Sequence, residues 1–544
     1  MGASITGKWQ TKKQKIELLS RLVAIPSITG SEAEIAIADF IQEELRAFSY
    51  FQENRDHLKL HSTGDGRNIL TALVKKHDNV KNTVILVSHF DVVDIQDYGR
   101  WSSLAFDTDK LTEAFYMRKA DVPLDVQQDI DQGNWLFGRG TMDMKCGIVS
   151  HMSIIEQATL GAFDGNVLML AVCDEEANSV GMREAVPVLL DMAEKHQLDY
   201  KVCLNSEPMF ARYPGDAGKY IYTGSIGKVL PGFLCYGKET HVGEPLSGLN
   251  ASYMASQITS ELELNTAFCE VVDREVMPPP TNLLLRDLKE EYSVQIPHRA
   301  VALFNLFLFE KSMDEIVDQL RCLMKTAAAC IEQHYAKQAG RFAQLAGCTP
   351  ETIHVNVLTF DELMAYAVKT YGQEEMADIQ AAAMANREEC DDREATIRLV
   401  DKMAILCKEL APMIVMFFAP PYYPPVSSRM DAYIQSVVDE MIRYAKKKHD
   451  VVLYKQNYFA GISDLSYTGL SQPISSLHTL ISNMPLWGKG YTLPLEELRE
   501  LNLPVLNIGP VGRDAHKWTE RLDVDYAFET LVDMLTAAIN LLFR

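Results

Sequence analysis

Three apolar runs of this chain each end in acidic or histidine residues, and that repetition constrains the fold more than any single motif. Thr83 to Ser88 stops at His89-Phe90-Asp91, Val167 to Cys173 at Asp174-Glu175-Glu176, and Tyr200 to Asn205 at Ser206-Glu207. Short runs rich in Val, Ile and Leu read as buried strands of a parallel sheet. In an open α/β sheet the ligand sits outside the carboxyl ends of the strands. Three strands would thus deliver carboxylates and an imidazole to one edge, with Asp143 and His516 expected to join them. That mixture of O and N donors suits a zinc-like metal, so a metallohydrolase centre is expected.

At 544 residues the chain is too long for one core, and two domains are expected. Its formal net charge of -22 argues against a nucleic-acid partner or an anionic membrane surface and says little about the charge of the small-molecule substrate that is expected. The ten cysteines sit singly with no CxxC, no secretory signal stands at Met1, and no apolar run approaches the roughly 18 residues that span a bilayer. A cytoplasmic location is expected.

Helical periodicity covers Trp9 to Ala24 and Glu32 to Phe48, and Ser31 with Glu34 reads as a capping box for the second helix. Strands are expected at Asn68 to Val74 and Thr83 to Ser88. A polar stretch, Asp107 to Asn134, leads into Trp135 and on to Asp143, and Lys145 to Thr159 reads as a helix. The alternation of strand and helix up to Glu207 is the pattern of βαβ units. After Tyr222 the pattern changes to strand (Lys228 to Cys235), helix (Asn250 to Leu264), strand (Val301 to Phe309) and long Ala- and Met-rich helices, with Pro420-Pro-Tyr-Tyr-Pro-Pro-Val426 read as an exit linker. A helix (Arg429 to Lys446), a strand (Val451 to Tyr454) and a terminal helix (Val524 to Leu542) complete the first domain. The expected fold is α/β: a mostly parallel-sheet catalytic domain in two parts, 1–223 and 425–544, with an inserted α+β lid domain at 224–424.

These residues, in chain order, resemble a known family. His89-Phe-Asp91-Val-Val, Gly138-Arg-Gly-Thr-Met-Asp143-Met-Lys145, Asp174-Glu175-Glu176, Ser206-Glu207-Pro208 and Gly509-Pro-Val-Gly-Arg-Asp-Ala-His516 look like the co-catalytic metallopeptidases. That family includes aminoacylases, acetylornithine deacetylase, succinyl-diaminopimelate desuccinylase and glutamate carboxypeptidase. Within it the chain most resembles the RocB-type arginine-utilisation proteins, through Gly237-Lys-Glu-Thr-His241-Val-Gly-Glu-Pro245, Pro278-Pro-Pro280 and Pro420-Pro-Tyr-Tyr-Pro-Pro425.

The resemblance implies that Asp143 bridges two divalent metal ions, zinc with cobalt or manganese as alternatives, with His89 and Glu207 completing one site and Glu176 and His516 the other. It makes Glu175 the general base, Asp91 the carboxylate that orients His89, and His241 the lid donor to the oxyanion. Asn250, Arg299 and Asp464 are the expected substrate contacts. Taken singly, each signal has a plainer reading: a strand-end histidine can be structural, an Asp-Glu-Glu run a solvated loop, Asp143 an N-cap, His241 a loop residue and Asp464 a turn.

Glu at position 207 is the family's habit in deacylases and carboxypeptidases. The expected activity is metal-dependent cleavage of an amide in an N-acyl amino acid or small peptide, in arginine or other amino-acid catabolism. The alternatives are a dipeptidase of the same chemistry and, in a different class, a non-catalytic metal- or ligand-binding regulatory protein. Two departures stand out. No Arg occurs near Val301 to Phe307, where the family's lid arginine would lie, leaving Arg286, Arg299 and Lys289 as replacements, and Cys146 stands where the family usually has Gly. A standard lid implies a homodimer, whereas an enlarged one can serve a monomer.

Overall fold

The computed structural model describes residues 7–213, 215–385, 387 and 390–544. The chain divides into two units. The first takes Met1–Ile226, Pro424–Ser471 and Pro494–Arg544; the second takes Gly227–Tyr423 and Gln472–Leu493.

The first unit is built on an eight-stranded sheet. Its strands are β1 (Leu58–Ser62), β2 (Asn68–Val74), β3 (Asn82–His89), β4 (Asn166–Val172), β5 (Asp199–Asn205), β6 (Lys219–Tyr222), β7 (Leu453–Gln456) and β8 (Val505–Asn507). They lie in the order β1-β2-β4-β3-β5-β8-β6-β7. The block β4-β3-β5-β8 is parallel, while β1 and β2 add an antiparallel edge. β4 is buried along its whole length, and β3 everywhere after Asn82. Such runs are apolar throughout rather than alternating because both faces of the sheet are covered. One cover is the helix Lys145–Thr159, in which every residue from Lys145 to Glu156 is buried. The four parallel strands carry their carboxyl ends to one edge, as expected from the apolar runs.

Some local expectations fail for identifiable reasons. Ser31 and Glu34 do not form a capping box: the helix Ala33–Arg46 starts after Glu32 with no side-chain cap. Glu34 instead accepts hydrogen bonds from the backbone N–H groups of Gly30 (2.6 Å) and Asp174 (3.0 Å), a long-range role that competes with the local one. The stretch from Asp107 to Asn134 holds two helices, Thr108–Met117 and Leu124–Gln132, whose Leu111, Phe115 and Val126 pack in an apolar cluster with Trp101 and Phe137. Pro420 is not in a linker. It lies in the strand Met413–Tyr423, buried throughout, where the register shifts between Ala419 and Tyr423. An irregularity of that kind is where a strand tolerates proline.

The second unit is α+β. The strands of its main sheet run in the order Thr281–Asp287, Arg299–Leu308, Gly227–Tyr236, Met413–Tyr423 and Asn356–Thr359, accompanied by the helices Ala251–Leu262 and Met313–Ala346. Gln472–Leu493, placed by the sequence reading in the second catalytic part, belongs to this unit. It is tied there through Asn483, whose carbonyl accepts from Phe418 N–H at 2.8 Å, and Tyr491, whose hydroxyl accepts from Tyr422 N–H at 2.9 Å.

Candidate metal centre

Asp143 stands two residues before the helix Lys145–Thr159, on a turn held from three sides. The carboxylate of Glu520 accepts from the N–H groups of Met142 (3.2 Å) and Asp143 (3.4 Å). Arg139 pairs with Glu520 at 3.0 Å and with Asp97 at 2.9 Å. Lys145 donates to the carbonyls of Leu22 (3.1 Å) and Ile25 (2.8 Å). So fixed, the Asp143 carboxylate divides its oxygens: Oδ1 lies 3.3 Å from His89 Nε2, and Oδ2 lies 3.1 Å from His516 Nε2.

Two sets of donors gather on its two sides. His89, the last residue of β3, has Nε2 at 3.5 Å from Glu207 Oε1, and His516 has Nε2 at 2.9 Å from Glu176 Oε1. His89, Asp143 and Glu207 each present an atom within 4.8 Å of the others, as do Asp143, Glu176 and His516, and so do His89, Glu175 and Glu176. Glu207 is steered by Gly509: a Cβ there would meet the Glu207 carbonyl oxygen at 1.7 Å, so only glycine lets the segment after β8 pass so close. His516 has φ 63, a left-handed conformation rare outside glycine and concentrated at functional sites.

The loop that carries Glu175 and Glu176 is braced in the same way. The Asp91 carboxylate accepts from the N–H groups of Glu175 (3.1 Å) and Glu176 (3.2 Å) and from Thr29 Oγ1 (2.9 Å). His89 Nδ1 is 3.0 Å from the Asp91 carbonyl and 3.5 Å from its carboxylate. Arg67 joins Glu34 (2.9 Å) to Asp174 (2.7 Å) beneath the loop.

Electrostatics follow from the crowding. Burial opposes charge on His89, yet Glu207, Asp143, Asp91 and Glu175 together hold its pKa well above the usual value. Burial also opposes ionisation of Asp143, but its bonds to His516 and His89 keep it below the ordinary carboxylate range. His516 rises to about 11 against its burial, through Asp143 and Glu176. Burial raises Glu175 and Glu207 well above the ordinary range, with His89 opposing and Asp464 adding to the rise.

Divalent cations fit this donor set. Four carboxylates, Asp143, Glu175, Glu176 and Glu207, surround two imidazoles, and among the described residues Glu207 Oε1 is buried without a hydrogen-bond partner. Burying such an excess of negative charge is costly unless a counter-charge compensates it, and mixed imidazole and carboxylate donors are those of zinc and its neighbours.

The first unit thus brings together His89, Asp91, Asp143, Glu175, Glu176, Glu207 and His516. It also holds Asp464, 1% exposed at the start of the turn Asp464–Thr468, whose carboxyl is raised to about 7 mainly by burial. His241, Asn250 and Arg299 belong to the second unit. Asn250 caps the helix Ala251–Leu262, and Arg299 pairs with Asp401. Arg286 is engaged by Glu394, and Lys289 by the carbonyls of Ser293 and Gln295. Asn250, Arg299, Arg286 and Lys289 are therefore engaged within their own unit. Arg67 and Glu520, which brace the loops of this cluster, were not singled out from the sequence, and Glu34 and Arg139 were read there only as a helix cap and as part of a motif. The only local signals were Arg139 within Gly138-Arg-Gly140 and the proximity of Glu520 to His516.

A largely buried set of imidazoles and carboxylates at the carboxyl ends of a mostly parallel sheet, with His516 at its exposed side, defines a metallohydrolase. The chain matches the model of peptidase family M20/M25/M40 over residues 85–476, and it belongs to that family. It is 48% identical over 536 residues to the uncharacterized protein YqjN of Bacillus subtilis, covering 98% of this chain and 97% of that one. It is 32% identical over 530 residues to the protein RocB of the same organism, covering 95% and 93%. The M20 family metallo-carboxypeptidase Sso-CP2 from Sulfolobus solfataricus shares the fold, with a TM-score of 0.53 and 14% identity over 97% of this chain and 99% of that one. Fold class and family are as expected from the sequence, and the chain is a metal-dependent amidohydrolase.

Proposed function

We propose that this protein hydrolyses the amide bond of an N-acyl amino acid or small peptide, with two divalent metal ions bound by five residues. The observation that carries the reading is the division of Asp143, one oxygen toward His89 and the other toward His516. Asp143 would lie between the ions, with His89 and Glu207 holding one and Glu176 and His516 the other. Bound there, such a pair lowers the pKa of water and polarises a carbonyl oxygen, and zinc, cobalt and manganese all suit the donors.

The protein's own groups supply the proton transfers. Glu175 takes the proton of the attacking water and delivers it to the departing amine. Its place supports this: it adjoins the ligand Glu176, sits 4.0 Å from His89 Nε2, and rides on amides held by Asp91. Asp91 acts by keeping the loop and the His89 ring in place. His241 is the proposed donor to the oxyanion. Its Nδ1 accepts from Gly243 N–H at 3.0 Å, so the neutral ring carries its proton on Nε2 and has a hydrogen bond to give. Asp464, buried among the carboxylates, tunes Glu175 through its charge.

Glu207 supports a deacylase or carboxypeptidase over a dipeptidase, and a place in arginine or other amino-acid catabolism is part of the same proposal. The test is a screen of the metal-loaded protein against N-acyl amino acids and dipeptides. Turnover is expected on acylated substrates with a free carboxylate. Hydrolysis confined to dipeptides with free amino termini would favour a dipeptidase, and none at all with both metals bound would favour a binding protein.

A further inference from the structure

Behind the ligands lies a fully buried imidazole. His151 is 0% exposed within the helix Lys145–Thr159. Its Nδ1 is 3.3 Å from Ser88 Oγ, and its Nε2 is 3.0 Å from Ser206 Oγ. Both serines are buried as well. Ser88 directly precedes His89 in β3, and Ser206 directly precedes Glu207 after β5. Those strands are parallel neighbours, with Val87 opposite Asn205. The helix bearing His151 begins two residues after Asp143. One ring therefore bonds to the residues next to His89 and Glu207 from the helix that starts beside Asp143, so it touches the surroundings of all three members of one donor group.

Burial drives this imidazole down to about 3, so it is neutral, with one N–H to donate and one lone pair to accept. A hydroxyl can do either, so the chain Ser88–His151–Ser206 is satisfied in both tautomers. Its helix neighbours Ile148, Met152, Ile154 and Ile155 are apolar and buried. A histidine there for volume alone would carry a desolvation cost that an apolar residue avoids; the two hydrogen bonds account for its presence.

We propose that His151 is a positioning residue which, through Ser88 and Ser206, fixes His89 relative to Glu207 and so sets the metal affinity of that half of the centre. This rests on the two-metal reading. The full-length protein, stripped by chelation, is titrated with cobalt(II) and followed by visible absorption and calorimetry. Removing a partner bonded directly to a metal ligand costs about 10-fold to 100-fold in affinity, and His151 acts one residue further out, so the lower end applies. His151→Leu is expected to bind one cobalt ion as tightly as the unsubstituted protein and the other about 10-fold more weakly, and His151→Gln, which keeps a donor and an acceptor, should recover part of the loss. Unchanged affinity for both ions in His151→Leu overturns the proposal, as does equal weakening of both with loss of helical signal. Should His151→Leu fail to fold, Ser206→Ala carries the test: weakening of one ion alone supports the proposal, and unchanged binding overturns it. If the unsubstituted protein takes up no cobalt, the two-metal reading fails and this inference with it. Two ions bound normally by both proteins would remove this inference alone.

Discussion

Glu175 and Glu176 are adjacent residues of one chemical type, yet they face different partners. Glu176 lies 2.9 Å from His516, while Glu175 has His89 at 4.0 Å. Glu175→Gln keeps the shape and removes the base, so turnover should fall by about 100-fold to 10,000-fold with both metals retained. Glu176→Gln replaces a charged ligand by a weak neutral one, so metal occupancy should fall together with rate. Elemental analysis beside steady-state kinetics checks both, and the reverse pattern would exchange their roles. His241→Ala should lower turnover by about 100-fold to 1,000-fold without changing metal content; near-normal rates would return it to a loop residue. The residues that the structure gathers here were legible because each stands where an apolar run ends or within a motif of the family's order. Arg67 and Glu520 were not, since a single charge in a polar stretch says nothing about the distant backbone or carboxylate it will hold.

The elements that carry these side chains are placed by packing and by buried ion pairs. Gly509 lies against Glu207, where an added Cβ would fall 1.7 Å from a backbone oxygen that cannot move aside as a side chain could. Gly509→Ala should therefore displace Glu207 and reduce metal content; full occupancy by elemental analysis would contradict the role given to this close approach. Arg67 offsets Glu34 and Asp174, whose side chains are 0% and 7% exposed. Breaking a buried pair costs about 3–5 kcal/mol. Glu34, raised to about 7 first by burial and then by the charge of Asp91, can take a proton when Arg67 is lost, which favours the lower end. Arg67→Met should thus destabilise the first unit by about 3 kcal/mol, read as a lower urea midpoint. At this scale the central strands and the helix Lys145–Thr159 were plain in the sequence, because buried runs have strong apolar signatures. Ser31 with Glu34 and Pro420 misled, because a distant amide claimed the one and a strand irregularity admitted the other.

For the molecule as a whole, the change in pattern after Tyr222 marked where the second unit begins, and the structure sets that boundary at Gly227. The return of Gln472–Leu493 to that unit carried no signal, because it rests on contacts such as that of Asn483 with Phe418 rather than on any periodicity. Among the described residues no helix is long and apolar enough to cross a membrane, and the ten cysteines are all free. What unites the chain chemically is that His89, Asp143, Glu176, Glu207 and His516, drawn from positions hundreds of residues apart, converge on one cluster. The most direct measurement strips the protein with a chelator, verifies by elemental analysis that it is metal-free, and assays it on its best substrate before and after adding zinc, cobalt or manganese. Metal-free protein should be inactive, and activity should return and saturate as two equivalents bind; undiminished turnover by protein shown to hold no metal would contradict the account.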